Sequence, residues 1–165
     1  MRNAFLKFGM LLFAFVVVMG CSSDDDGPAE APPVKFRALV GGQNVRTDNV
    51  TATLSNNGRM LSITAPTDLG PLIMTIGSNA PDAPEIAVET YAIDDTGNVN
   101  VRIIAPDFVY TSSPELGGSI TISELNTQEM TVFGSFGAIV VNPGDPDDTI
   151  AITNGALFNV NYTVQ

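Results

Sequence analysis

The sequence predicts an all-β protein: an antiparallel β-sandwich or partly closed barrel of about eight to ten short strands, behind a signal segment and a flexible tether. Three observations predict it. Between Val34 and Tyr162, a series of short runs carries apolar residues at every second position. No window in that span sustains a 3.6-residue period over three turns. The apolar runs are separated by Gly, Asn, Asp and Pro clusters that favour tight turns.

The elements follow in order. Val34, Phe36, Ala38 and Val40 share one face of a first strand, with Lys35 and Arg37 on the other. Gly41-Gly42 then invites a tight turn. Val50, Ala52 and Leu54 alternate with Thr51, Thr53 and Ser55, and Asn56-Asn57-Gly58 is a hairpin signal. Leu61, Ile63 and Ala65 make the return strand, ended by Pro66. Leu72, Met74 and Ile76 make the next, ended by Gly77. A short extended piece surrounds Tyr91 and Ile93, and Asp95-Thr96-Gly97-Asn98 turns the chain into Val99, Val101 and Ile103.

The second half repeats this grammar. Ile120 and Ile122 alternate with Ser119, Thr121 and Ser123, and Asn126-Thr127-Gln128 forms a turn. Met130, Val132, Gly134, Phe136 and Ala138 form one face of a long strand. Its other face is partly apolar at Phe133 and Ile139, which predicts a central position. Gly134 and Gly137 predict a bulge or a close backbone approach. Residues 142–148 are expected to be a loop. Ile150 and Ile152, then Ala156, Phe158, Val160 and Tyr162, supply the closing apolar face. Residues 78–90 and 105–118, both containing proline, are expected to be irregular. Loops concentrate recognition residues, so Phe108 and Tyr110 in the second stretch are the best candidates for an exposed aromatic ligand contact. The competing reading is that both pack down and hold the loop.

Residues 1–20 are set apart. Arg2 and Lys7 make a positive start, and residues 8–20 are uncharged but number only 13, short of the ~20 a spanning helix needs. This is a signal segment. Val18-Met19-Gly20-Cys21 resembles the lipobox of bacterial lipoproteins, in which the chain is cut before the cysteine and its thiol is diacylated. The resemblance implies cleavage between Gly20 and Cys21 and lipid attachment at Cys21. Met19 is bulkier than the residue usual at its position. Two or more acyl chains anchor a protein stably where one alone is marginal. Residues 21–33 then form an acidic, Pro-rich tether with nothing to pack. Within it Ser22, Ser23, Asp24, Asp25 and Asp26 resemble the surface-export signal of Bacteroidota lipoproteins; the plainer reading is a solvated linker. Residues 34–165 form the single β domain.

Composition excludes several chemistries. The chain has no His, so it cannot build a Ser-His-Asp triad, a Cys-His pair or a His-ligated metal site. A single Cys excludes an intramolecular disulfide and a thiolate zinc site. The net charge is −11, and the first 20 residues carry two cations and no acid, so the remainder is more acidic still. Such a field repels phosphate backbones, and nucleic acid is a poor partner. No glycine-rich phosphate loop follows a strand and opens a helix. Asp145, Asp147 and Asp148 lie close together, as do Asp94 and Asp95, but their spacing departs from the calcium-loop pattern, and aspartates are ordinary turn formers. No catalytic residue, metal ligand or cofactor is assigned. Asp148-Thr149-Ile150 resembles the O-glycosylation acceptor motif of Bacteroidota, which would place a glycan on Thr149.

Several pieces of the body, in order, resemble a small uncharacterised lipoprotein family of flavobacteria and their relatives, a domain of unknown function. They are Phe36-x-Ala38 with Gly42 and Val45, then Thr90-Tyr91, then residues 117–122 (GGSITI). Gly134-x-Phe136 follows, and then residues 152–155 (ITNG) with Val160 and Tyr162. Glu89 and Leu157 depart from the family tendency toward Gly and Phe. The resemblance implies a β domain on a lipid tether and no particular reaction. The expectation is a lipid-anchored protein of the outer membrane and cell surface, held by its N-terminal acyl chains, whose non-enzymatic domain binds an extracellular glycan or a protein partner. Two other readings stay open: a structural envelope component, and a barrel-type carrier with an internal cavity for a hydrophobic ligand.

Overall fold

Why a chain of short alternating runs needs two long strands becomes clear from the sheet order. The computed structural model describes residues 34–165. It contains β1 (Phe36–Val40), β2 (Gln43–Thr47), β3 (Thr51–Ser55), β4 (Met60–Ala65), β5 (Leu72–Gly77), β6 (Thr90–Ala92), β7 (Val99–Ile104), β8 (Val109–Ser112), β9 (Gly118–Asn126), β10 (Thr131–Asn142) and β11 (Asp145–Val164). A single 3-10 turn at Pro114–Leu116 precedes β9. The order is β2-β1-β11-β3-β4-β5-β7-β8-β10-β9-β6, and β10 also pairs with β11. That extra pairing closes a ring running from β11 through β3, β4, β5, β7, β8 and β10 back to β11. The pairs β1–β2 and β9–β6 extend from it as flaps on β11 and β10.

The long strands make this possible because each divides one edge between two partners. β10 spans 12 residues; residues 131–138 pair with β9, Val140 and Val141 pair with β8, and the other edge follows β11. β11 spans 20 residues; residues 152–157 pair with β1, and residues 162–164 pair with β3. The expected central position of β10 is borne out. So is its expected irregularity: the register shifts between Val132 and Gly134 and between Phe136 and Ala138. A Cβ on Gly134 would lie 2.3 Å from the Thr121 carbonyl oxygen, so the strand tolerates only glycine there.

The inward faces meet in one apolar cluster. Phe36, Leu61, Ile63, Leu72, Ile103 and Ile120 are among its fully buried members. The rings of Phe36 and Phe136 stand 5.4 Å apart and tilted by 31°. The β1–β2 turn is the two-residue hairpin that Gly41-Gly42 predicts, with φ of 57° and 80°.

The structure departs from the sequence expectations at identifiable places. Among the described residues there are eleven strands, because β2 and β8 carry too few inward apolar residues to be read from alternation: Val45 in β2 is only half-buried, and in β8 the buried residue is Ser112. Residues 105–118 are thus not irregular throughout, and Tyr110 lies on a strand. Residues 142–148 are not a loop; Asn142 pairs with Asp145 across a two-residue turn, and β11 starts there. The sheet is mixed, since β3 and β11 run parallel. Met130 does not join the inner face of β10; it sits exposed in the preceding turn at φ 54°. Ala156 and Phe158 do not face the core either. Asn154 and Asn159 take left-handed backbone at φ 53° and 49°, which switches the face and turns Leu157 inward.

The two ends of β11 orient the body. Val34 leads into β1 beside the later part of β11, where the Lys35 ammonium donates to Asn161 Oδ1 at 2.9 Å. At the opposite end lie the β10–β11 turn, the β7–β8 turn and the β4–β5 turn, the last held by the Ile104 N–H donating to the Pro71 carbonyl at 3.0 Å.

Candidate functional site

Phe108 sits at that second end, in the turn before β8, and is 51% exposed. Three further apolar side chains are exposed with it: Val109, its cross-strand partner Ile104, and Leu69 in the adjoining turn. Gly70 fits this tip because its φ of 123° brings it against the Ile104 carbonyl, where a Cβ would lie 2.0 Å from the oxygen.

Tyr110 follows Phe108 by two residues but is half-buried. Its hydroxyl donates to Asp148 Oδ2 at 2.8 Å. The same oxygen accepts from Asn142 Nδ2 at 3.1 Å, and Asn142 Oδ1 accepts from the Gly144 N–H at 3.0 Å. The three side chains pin the β10–β11 turn to β8. The hydrogen bond to Asp148 comes first among the causes that raise the Tyr110 pKa, followed by burial and the negative charges of Asp148 and Asp145, because ionising the phenol would lose that bond and add charge beside carboxylates. Phe108 is left exposed, while Tyr110 holds the turn. Thr149 is exposed on β11 next to Asp148.

The acidic turns act locally. Asp145 Oδ1 accepts from the Asp147 N–H at 3.2 Å, and Asp94 Oδ1 accepts from the Val99 N–H at 3.2 Å. Among the described residues no group of three or more Cys, Asp or Glu converges as a metal site would require. Residues 20–26, including Gly20, Cys21, Ser22, Ser23, Asp24, Asp25 and Asp26, lie outside the described residues.

The described residues also form surface clefts, of which three bear on the argument. One of about 300 Å³ lies under the 78–90 segment, against Ile86 and Tyr91. The Tyr91 hydroxyl accepts from the Ala87 N–H at 2.7 Å and donates to the Ala87 carbonyl at 3.0 Å, clamping that segment down. Burial is the chief cause that raises the Tyr91 pKa, and the charge of Glu89 adds to it. A second cleft, of about 430 Å³, lies over Asn100, Arg102 and Thr111. The third, of about 560 Å³, lies on the outer face where β2, β1, β11 and β10 run side by side. Arg37 and Arg46 both line it. Neither stood out in the sequence as a binding residue, although a signal was there: a two-residue turn at 41–42 fixes them as cross-strand partners.

Residues 33–161 match the family described as a domain of unknown function, DUF6252, and the chain belongs to that family. No curated protein and no solved structure matches it.

Proposed function

We propose that this DUF6252 protein is a lipid-anchored outer-membrane lipoprotein of the cell surface, in a bacterium of the Bacteroidota, and that its β body is a non-enzymatic module binding an extracellular glycan or protein. The observation that carries the binding role is the apolar tip. Leu69, Ile104, Phe108 and Val109 are exposed together, at the end of the body opposite the one where the chain enters through Val34. Exposed apolar side chains grouped at one place mark interaction surfaces more often than scattered ones do. The lipobox at Cys21 and the acidic run at Asp24, Asp25 and Asp26 support the anchored, exported reading. Thr149, exposed beside Asp148, is open to the O-glycosylation its motif fits.

The interior favours a binding surface over a carrier. The inward side chains touch one another in a single cluster, and the Phe136 ring fills the space beside Gly155, where a Cβ would meet it at 2.7 Å. A lipocalin-like cavity would need that space.

The test has two parts. Cys21→Ala should abolish incorporation of labelled fatty acid and leave uncut precursor; normal labelling overturns the anchor. The purified chain should be retained by at least one member of a panel of extracellular polysaccharides and envelope proteins. Phe108→Ser with Val109→Ser should weaken that retention at least tenfold at an unchanged melting midpoint. Retention indifferent to the double variant overturns the tip as the contact surface.

A further inference from the structure

We propose that the cleft on the outer face of β2, β1, β11 and β10 binds a compact oxyanion, namely a carboxylate, sulfate or phosphate ester carried on a small polar ligand, through Arg37 and Arg46. The site is on a different face from the apolar tip and does not depend on it.

The first argument is charge placed against the trend of the molecule. The chain carries 18 acidic residues and 7 basic ones. Five of the basic residues fall within the described body, and three of these, Lys35, Arg37 and Arg46, are on or next to the first two strands. Arg37 and Arg46 are direct cross-strand partners. Like charges so opposed destabilise a sheet; no Asp or Glu lines this cleft, and Asp68 borders Arg46 only in the neighbouring cleft between β2 and the β4–β5 turn.

Edge protection alone does not account for the pair. Charged side chains protect exposed sheet edges, and β2 is such an edge, so Arg46 alone could serve there. Arg37 cannot, because β1 is paired on both sides, by β2 and by β11. Nor does a positive pair improve the solubility of a strongly negative body. Arg37 is also held in place: its guanidinium carbon stands 5.0 Å from the centroid of the Phe158 ring. That contact exists because the left-handed residues flanking this part of β11 turn Phe158 outward.

The remainder of the cleft suits an anion. One register row crosses four strands as Arg46, Arg37, Ala156 and Ser135. Ala156 and Ser135, both short, line the cleft together with the two arginines. Asn44 and Asn154 add neutral hydrogen-bonding groups at the rim. Each guanidinium offers a planar fork of N–H donors that matches an oxyanion bidentately. At about 560 Å³ the cleft is in the range of small-ligand sites, roughly 300–1,000 Å³, and holds a sugar ring with one charged substituent.

The test is titration of the full chain, followed by NMR, with glucuronate, glucose 6-sulfate and glucose 6-phosphate, and with glucose as the neutral control. At least one anionic sugar should bind at one site and shift the amides of Arg37, Arg46, Asn154 and Gly155, and the three arms identify which oxyanion is preferred. Glucose should not bind. Arg46→Gln should weaken binding at least tenfold, and Arg46→Lys, which keeps the charge but loses the fork, should fall between. Arg46→Gln is the decisive variant because it leaves the Arg37–Phe158 contact intact; its unliganded melting midpoint should stay level or rise as repulsion is relieved. The proposal is overturned if no anionic sugar binds, if glucose binds equally well, if Arg46→Gln binds as the wild type does, or if that variant melts several degrees lower and so reveals a structural arginine.

Discussion

Truncating Phe136 to Ala removes the ring that joins β10 to β1 and β11. The side chain is 5% exposed, its ring lies 5.4 Å from that of Phe36, and it rests on the bare backbone of Gly155. Buried Phe→Ala changes cost about 3–5 kcal/mol, the larger values arising where the surroundings cannot collapse into the gap. Here they cannot: Gly155 has no side chain to swing in, and Ala138 beside it is short. Loss of the aromatic pair contributes up to about 1.5 kcal/mol beyond the area term. The upper half of the range is therefore expected, about 4–5 kcal/mol against a typical total of roughly 5–15 kcal/mol. For a body of this size that lowers the melting midpoint by roughly 10–20 °C. Circular dichroism in the strand band follows the transition, since the chain has no Trp to report by fluorescence. Phe136→Leu, which keeps most of the volume but loses the aromatic pair, should cost clearly less than Phe136→Ala. A Phe136→Ala midpoint within about 3 °C of wild type would refute this account of the core.

Three other outcomes are expected. Gly155→Ala should destabilise by about 1–3 kcal/mol, because its Cβ would lie 2.5 Å from the Phe136 carbonyl oxygen and 2.7 Å from the Phe136 ring; Phe136→Ala removes the ring contact, so the combined loss should be smaller than the sum of the two single losses, as denaturant melts of all three variants would show. Tyr110, with its pKa raised by the hydrogen bond to Asp148, favours the folded state fully below the ordinary tyrosine pKa and loses that contribution as pH rises through its higher folded value; in a spectrophotometric titration the phenolate band absent from Tyr110→Phe should be a late one, and an ordinary midpoint refutes the coupling. Replacing Asp24, Asp25 and Asp26 together by Ala should reduce protease access to the body in intact cells without moving its melting midpoint, and unchanged access would make the run a plain linker.

The strands most legible in the sequence are those whose inner positions are all large and apolar. Leu61, Ile63 and Ala65, then Leu72, Met74 and Ile76, then Val99, Val101 and Ile103 alternate without a break, and each lies buried where alternation put it. β8 escaped because its inward anchor is Ser112, whose hydroxyl accepts from the Val101 N–H at 2.9 Å instead of filling apolar space. The facing of β11 was illegible for a different reason. Period-two reading assumes continuous extended backbone, and Asn154 and Asn159 each break it with a left-handed residue. At the tip, the placement of Phe108 in an exposed turn was readable from the surrounding prolines. In the arginine cleft one wall was readable from the Gly41-Gly42 turn. The other, Ser135 and Asn154, comes from distant strands whose register only the folded sheet fixes.

β11 also sets the timetable on which this molecule can acquire its shape. It is last of the strands along the chain, yet β1, β3 and β10 all depend on it for an edge. Its parallel contact brings Tyr162 to Ala52, and its antiparallel one brings Leu157 to Phe36. Both contacts span more than a hundred residues of intervening chain, so the entropy of closing those loops must be met before the contacts reward it. A nascent chain that has not yet supplied residues 145–164 holds hairpins with no seam to join them, and the ring forms only once that segment is available. Folding is then expected on the milliseconds-to-seconds scale of β proteins rich in distant contacts. During that delay the chain stays threadable, as a polypeptide must be if it crosses a membrane in extended form before it folds.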